Sequence, residues 1–374
     1  MEAIDRFTVH YLITAGSAAE AEHRAHDICI EQTAEMPYET IPMHIRESIT
    51  GQIISQKQTE SNLFETSISF PVSAAGNEIT QFLNVIFGNI SLKPGIRIHG
   101  TGWNSLTHIF HGPVNGIDGI RSQINIEGRP LSCSALKPMG LNSDELANIC
   151  YRMALGGIDI IKDDHGLANQ VKAPFSERIL ACLNAVKRAE DQTGKRTLYV
   201  PNITGDGFET WRRYEIAREL GAGGVLVSPQ LCGLSVLSDL TKNEDQIPVI
   251  AHPAFSGSFI TNPEHGFTPE FYYGHLWRAL GADAVIYPNA GGRFSFSEEL
   301  CLYLNRALRQ NSLPFQPAFP VPAGGIQLES VSQWMKKYGG DTIFLIGSSL
   351  YRHPDGLEAA CRNFQQKIES YEPQ

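Results

Sequence analysis

From residue 131 onward, short apolar runs alternate regularly with longer amphipathic segments, and this rhythm constrains the fold more than any other feature. Runs rich in Val, Ile, Leu and Ala are typical of strands buried on both faces of a parallel sheet. The candidate strands span residues 131–136, 158–161, 197–203, 224–228, 248–251, 284–287, 319–322 and 342–346. Amphipathic segments such as 143–155, with Ser143 as the expected N-cap, predict helices between them. Eight strand–helix units predict an α/β fold with a C-terminal (β/α)8 TIM barrel over residues 126–374.

A doubly wound open sheet is the alternative topology for this part of the chain. Such a sheet usually has fewer units and a glycine-rich fingerprint after its first strand. Here the first strand is followed by Lys137-Pro138-Met139-Gly140, which favours the barrel.

The first 125 residues lack this rhythm. Candidate strands at 7–13, 52–57, 63–70 and 96–99 mix with helical segments at 18–31 and 78–86. Strands and helices without a regular βα repeat are typical of an antiparallel sheet with helices on one face. We therefore predict a small N-terminal α+β domain over residues 1–125.

Composition excludes several classes of function. The chain has 30 basic and 40 acidic residues, a formal net charge of −10, which disfavours binding to nucleic acid or to an anionic membrane. Its 7 cysteines form no CxxC pair, which fits a reducing compartment. No apolar run approaches the ~18 residues of a membrane span. We expect a soluble cytoplasmic protein that catches any anionic substrate with a local basic site.

Polar side chains stand where the predicted strands end. They are Lys137 after the first strand, Lys162, Asp164 and His165 at the second, His252 after the fifth, and Asn289 with Arg293 after the sixth. Each alone could be a structural ion pair, since a buried lysine or aspartate needs a partner. Because barrel enzymes place their sites at the carboxyl ends of the strands, the joint placement predicts an active site.

The last two predicted strands lead into small residues. Gly324 and Gly325 follow the seventh strand, and Gly347, Ser348 and Ser349 follow the eighth. Either turn alone could be a tight connection without a ligand. Small residues at these two strand ends let backbone N–H groups approach one anion, and barrels commonly bind phosphate there. The pattern therefore predicts a phosphate site.

The run Gly156-Gly157-Ile158-Asp159, followed by Lys162-Asp163-Asp164, resembles the RuBisCO superfamily, specifically its RuBisCO-like proteins. The resemblance extends over nearly the whole chain. It implies that CO2 carbamylates Lys162 and that this carbamate, Asp164 and the next residue hold Mg2+. It also implies that Lys137 handles protons and the enolate oxygen, that His252 binds substrate, and that the two glycine turns bind phosphate.

Departures from the family pattern argue against CO2 fixation. The family's third metal ligand is a glutamate, but this chain has His165, and imidazole suits Mn2+ or another transition metal better than it suits Mg2+. Pro253 replaces an arginine, and Arg293 replaces the mobile-loop lysine. The second lysine of the first strand is missing.

The resemblance also implies a head-to-tail homodimer and is compatible with higher oligomers of such dimers. Glu31 and Asn84 match polar positions that the N-terminal domain contributes to the partner's site. Asn89 stands where the family's enolase has a lysine base in a Phe-Gly-Lys context. An amide cannot take a proton from carbon, so the enolase interpretation loses its base.

These features leave three interpretations. The favoured one is a decarboxylase or transcarboxylase/hydrolase of the 3-oxo-isoapionate 4-phosphate type, in which Lys137 stabilises the enolate and Arg293 holds the departing carboxylate. The alternative is a 2,3-diketo-5-methylthiopentyl-1-phosphate enolase or a methylthioribulose-1-phosphate isomerase. A non-catalytic phosphosugar-binding protein is the third, since His165 and Asn89 both break catalytic patterns.

Overall fold

The computed structural model describes residues 4–242, 245–294 and 296–373 and divides the chain into two compact units. One unit contains the chain up to His111 together with Ser256–Leu276 and Ser312–Pro314. The other contains Gly112–Phe255, Trp277–Asn311 and the chain from Phe315 onward. The domain boundary at residue 125 stays a prediction.

The first unit is built on a mixed sheet. Its strands are β1 (Arg6–Thr14), β2 (Gln52–Glu60), β3 (Leu63–Pro71) and β4 (Ile96–Thr101). β1 pairs antiparallel with both β3 and β4, β2 lies outside β3, and the short strand Gly266–Phe267 pairs parallel with β4. The helices are α1 (Ala18–Glu31) and α2 (Ile79–Phe87), with short helical turns at Met43–Ser48, Val72–Ala75 and Gly257–Ile260.

Strict alternation in β1 explains which face of this sheet is covered. Phe7, Val9, Tyr11 and Ile13 are buried, whereas the residues between them are partly exposed. Successive side chains of a strand point to opposite faces, so the apolar set lines one side of the sheet. Ser17 begins α1 by accepting a hydrogen bond from the Glu20 N–H.

The second unit contains eight parallel strands. They are β5 (Leu131–Leu136), β6 (Ile160–Asp163), β7 (Leu198–Val200), β8 (Val225–Val227), β9 (Val249–Ala251), β10 (Ala284–Pro288), β11 (Phe319–Ala323) and β12 (Ile343–Leu345). Their order is β7-β6-β5-β12-β11-β10-β9-β8. A parallel bridge between Asn202 and Leu226 joins the two ends. The predicted α/β fold with a barrel is confirmed.

Helices surround these strands. They are α3 (Gly116–Ile124), α4 (Ser143–Leu155), α5 (Phe175–Thr193), α6 (Phe208–Glu219), α7 (Glu298–Arg309), α8 (Val331–Tyr338) and α9 (Leu357–Glu369), with short turns at Pro229–Cys232, Ser235–Leu240 and Ser348–Tyr351. The expected N-cap of α4 was wrong by one residue. Asn142, not Ser143, forms the cap, in a capping box with Glu145. Between β9 and β10 the chain also forms a π-helical turn, Glu270–Leu276, followed by Trp277–Ala279.

The barrel interior is packed with branched apolar side chains. Inward residues such as Ile160, Leu226 and Val321 are at most 1% exposed and form one cluster with Ile120 and Ile124 of α3. Asp283, just before β10, accepts hydrogen bonds from the Asn115 and Gly116 N–H groups, which fixes the start of α3. The polar residues at the carboxyl ends of the strands are therefore supported by a tightly packed barrel interior.

Within the described ranges, no helix has both the length and the apolar character that crossing a membrane would require.

Candidate active site

Four predicted residues of the barrel lie together at the ends of β5, β6 and β9. The Lys137 Nζ is 2.6 Å from Asp164 Oδ1, and His165 Nδ1 is 3.5 Å from the same oxygen. The His165 ring stacks on the His252 ring, with centroids 4.5 Å apart. The structure thus brings a lysine amino group, a carboxylate and two imidazoles into one cluster.

Asp164 is ionised in this cluster. Burial alone would raise its pKa, but hydrogen bonds from His165 and Lys137, together with the charge of Lys162, hold the pKa of Asp164 well below its usual range. The carboxylate therefore stabilises a positive charge on Lys137.

His252 is held in one orientation and one tautomer. Its Nδ1 accepts a hydrogen bond from the Ala254 N–H at 3.1 Å, so in the neutral ring the proton is on Nε2. Desolvation lowers the pKa of His252 well below its ordinary value, and the positive charges that Lys162 and His165 can carry lower it further. His252 is consequently a neutral donor rather than a cation.

Lys162 lies deeper than the other lysine. It is 2% exposed, and its Nζ donates to the Asp163 carbonyl at 3.0 Å. Burial lowers the pKa of Lys162, and nearby groups that include Asp164 offset this only in part. A lowered pKa favours the neutral amine, which is the form of lysine that reacts with CO2.

Asp163 has a different role from Asp164, which the family resemblance named as the metal ligand. It is fully buried and accepts hydrogen bonds from Arg178 Nε (3.1 Å), Tyr199 Oη (2.8 Å) and the Asn202 N–H (2.9 Å). The Asn202 side chain in turn donates to the His165 carbonyl at 3.1 Å. This network fixes the loop that carries Asp164 and His165. Alternation of side chains along the strand could have indicated that Asp163 and Asp164 point in different directions. Nothing in the sequence indicated that Arg178 is the partner of Asp163.

The predicted phosphate turns have different neighbours. Gly324 and Gly325 both have positive φ, and a Cβ on Gly325 would lie 2.5 Å from the Gly292 N. A Cβ on Gly347 would lie 3.9 Å from Lys137 Cε. Ser348 is exposed, and the Ser349 Oγ is buried without a hydrogen-bond partner. The Gly325 turn therefore lies close to the turn at Gly292, whereas Gly347 is the turn residue that lies near Lys137.

The loop after β10 contains two of the predicted site residues, Asn289 and Arg293. The Asn289 side chain is 1% exposed and accepts a hydrogen bond from Tyr338 Oη at 2.5 Å. This bond attaches the loop to the last residue of α8. Arg293 is exposed, with its guanidinium 5.9 Å from the centroid of the Phe294 ring. Among the described residues, neither side chain forms a hydrogen bond or ion pair with the Lys137 cluster.

The close approach of Gly325 to Gly292 leads to a prediction. Gly325→Ala should raise the KM for a phosphorylated substrate at least tenfold, because the new Cβ pushes the two turns apart. Gly324→Ala is the matched control, since it shares the positive φ but meets no atom within 4 Å. Steady-state kinetics of both variants provide the measurement. Equal KM values for the two variants would contradict the anion role of these turns.

Three predicted residues of the first unit lie along one edge of it. Asn89 Nδ2 is 3.0 Å from both Glu31 Oε1 and Glu35 Oε1. Gln32 donates to the Asn84 carbonyl at 2.6 Å, and the Asn84 side chain is exposed. The structure thus groups Glu31, Asn84 and Asn89, while their contribution to a partner subunit stays a prediction.

The side chains of the cluster supply only part of a metal site. Among the described residues, no three His, Cys, Asp or Glu side chains converge as metal ligands. Asp164 and His165 supply one carboxylate and one imidazole, which is too few for a divalent cation. A carbamate on Lys162 would add the missing anionic oxygen. The donor set therefore fits a divalent cation only with that modification.

Comparison with known proteins identifies the family. The family model of the ribulose bisphosphate carboxylase large chain, catalytic domain, matches residues 116–372. The chain belongs to the RuBisCO superfamily. As the sequence predicted, its relatives include RuBisCO-like proteins: a solved RuBisCO-like protein from Rhodopseudomonas palustris is 36% identical, with a TM-score of 0.88 over 100% of both chains.

Two enzymes are similar to this RuBisCO-like chain. The 5-methylthioribulose-1-phosphate isomerase of Rhodospirillum rubrum is 36% identical over 94% of this chain and 93% of that protein. The 2,3-diketo-5-methylthiopentyl-1-phosphate enolase of Geobacillus kaustophilus is 36% identical over 81% of this chain and 74% of that protein. A dimeric archaeal RuBisCO from Hyperthermus butylicus shares the fold at 24% identity, with a TM-score of 0.88 over 99% of this chain and 91% of that one. The isomerase and the enolase support the alternative interpretation of the sequence, an enolase or isomerase, better than the favoured decarboxylase.

Proposed function

We propose that this protein is an isomerase that moves a proton within a phosphorylated ketose of the 5-methylthioribulose 1-phosphate type. The observation that carries the proposal is the pairing of Lys137 with ionised Asp164 at 2.6 Å, beside the neutral His252. Formation of an enediolate requires one group that carries a proton to and from carbon and a second group that donates a hydrogen bond to the substrate oxygen that becomes negative.

Lys137 is the proton carrier in this proposal. As an amine it takes the proton from the carbon beside the carbonyl, and the resulting ammonium is stabilised by the Asp164 carboxylate. It then returns the proton to the neighbouring carbon, so that the substrate is isomerised without net gain or loss of atoms. His252 Nε2 donates to the oxygen that becomes negative in the enediolate.

The phosphate of the substrate lies at the turns that contain Gly325 and Gly347. Backbone N–H groups hold the anion there without requiring a positive side chain. This fixes the distance between the reacting carbons and Lys137, whose Cε lies close to Gly347.

Carbamylated Lys162, Asp164 and His165 would hold a divalent cation. When bound, the cation would polarise the carbonyl oxygen as a Lewis acid. The network of Asp163, Arg178 and Asn202 then keeps the backbone of these ligands in position.

Asn89 favours the isomerase over the enolase. Its amide donates to Glu31 and Glu35, and it has no basic atom that could serve in place of the lysine of the enolase pattern. The isomerase proposal needs no base from this position, because Lys137 moves the proton.

Incubation with 5-methylthioribulose 1-phosphate in deuterated water tests the proposal. We expect a constitutional isomer of the substrate, detected by NMR, with deuterium at the carbon that receives the proton. Turnover of a phosphorylated β-keto acid with release of CO2, and none of the ketose, would support the decarboxylase instead. Binding of the ketose without turnover of either compound would support a non-catalytic phosphosugar-binding protein.

We further propose that the active unit is a head-to-tail homodimer in which the edge containing Glu31, Asn84 and Asn89 completes the barrel of the partner. Neither Asn84→Ala nor Lys137→Ala homodimers should be active. Mixing the two variants should restore about a quarter of the wild-type activity, because half of the dimers then contain one intact site. Demonstrated subunit exchange without recovery of activity would argue against shared sites.

A further inference from the structure

The first unit has a cleft of about 370 Å³ next to Glu31. One wall is apolar and is formed by Ile30, Met36, Pro37 and Tyr38. Met36 is 41% exposed and Tyr38 is 39% exposed, so two large apolar side chains face the open cleft. A concave surface with an apolar lining is typical of a small-molecule subsite.

The Tyr38 ring is held in place by two neighbouring side chains. The Arg46 guanidinium lies 4.5 Å from the centroid of its ring, and the His26 ring meets it edge-on at 5.3 Å. Arg46 is itself fixed by hydrogen bonds to the carbonyl groups of Glu39 and Ile41, both at 3.0 Å. The apolar wall therefore keeps its shape before any ligand binds.

The charges around the cleft disfavour a second phosphate. Asp27, Glu31 and Glu39 contribute three carboxylates to its lining. Among the described residues that line the cleft, Lys93 is the one lysine or arginine, and its Nζ already lies 3.8 Å from Asp27 Oδ2. A phosphate here would meet net negative charge, whereas an uncharged tail would not.

We propose that this cleft binds the apolar, sulfur-containing tail of a substrate whose single phosphate is held in the barrel of the partner subunit. This inference rests on the proposed function and adds the residues that select the substrate. A thioether packs favourably against an aromatic ring, which Tyr38 supplies, and the flexible side chain of Met36 can adapt to an apolar tail. Substrates with a phosphate at each end are rejected at the same place.

Calorimetry with inert analogues tests the inference independently of turnover. The intact protein is titrated with 5-methylthioribitol 1-phosphate, 5-deoxyribitol 1-phosphate and ribitol 1,5-bisphosphate. We expect the methylthio compound to bind at least tenfold more tightly than the deoxy compound, as a buried alkyl group does in other pockets, and more tightly than the bisphosphate.

Met36→Lys should remove most of this tenfold advantage and improve binding of the bisphosphate. Met43→Lys is the matched control, because Met43 is 73% exposed and does not line the cleft. Tyr38→Ser should also reduce the advantage, and circular dichroism checks that each variant is folded.

Several results would overturn the inference. They are equal binding of the methylthio and deoxy compounds, tightest binding of the bisphosphate, no binding of any analogue, or an unchanged advantage in folded Met36→Lys. Failure of isomerase turnover alongside the expected order of affinities would refute the proposed reaction but leave this subsite in place.

Discussion

Lys137→Ala should lower kcat by a factor of about 10² to 10⁴, the usual contribution of a positioned acid–base group. KM should change much less, because the phosphate turns and His252 are intact in the variant. Lys137→Arg should be nearly as inactive as the alanine variant, since a guanidinium pairs with Asp164 but does not give up its proton at ordinary pH. The Lys137→Arg variant thus distinguishes a role of Lys137 as a proton carrier from a purely electrostatic role.

Lys187→Ala is a matched control for this change. Lys187 also pairs with an aspartate at 2.6 Å, but it lies on the exposed side of α5, and its side chain is 67% exposed. Steady-state kinetics and exchange of solvent deuterium into the substrate are the two measurements. Retention of deuterium exchange in folded Lys137→Ala would assign the proton transfer to another residue.

The sequence predicted the barrel well because its strands are buried on both faces. Each predicted strand from 131–136 to 342–346 overlaps an observed one, and polar residues at the strand ends stand out against apolar runs. Lys137, Asp164, His165 and His252 could therefore be placed at one rim before their distances were known. The regular alternation of apolar runs and amphipathic segments therefore predicted both the barrel and the position of the site residues at its rim.

The sequence was less informative where side-chain direction decides the role. Asp163 and Asp164 are adjacent and chemically identical, yet strand alternation turns the first towards Arg178 and leaves the second beside Lys137. Asn289 follows a strand like the other site residues, but its amide bonds to Tyr338. Such partners lie far away in the sequence, so only the packed structure reveals them.

Removal of metal and CO2 should abolish most of the activity if Lys162 is carbamylated. The carbamate is an oxygen anion made from the neutral amine and CO2, and it supplies the ligand that Asp164 and His165 lack. We expect neither bicarbonate nor metal alone to restore the stripped enzyme, whereas both together should do so. Activation should increase with pH, because the amine must be deprotonated before it reacts.

The choice of metal should depend on His165. Because imidazole replaces a carboxylate, Mn2+ should activate the wild type at least as well as Mg2+, and His165→Glu should shift the preference towards Mg2+. Carbon-13 NMR with labelled bicarbonate gives a second measurement, since the carbamate signal should be absent in Lys162→Met. Full activity in the stripped enzyme would instead leave Lys162 as a buried amine, and Lys137 with His252 would then have to stabilise the enediolate alone.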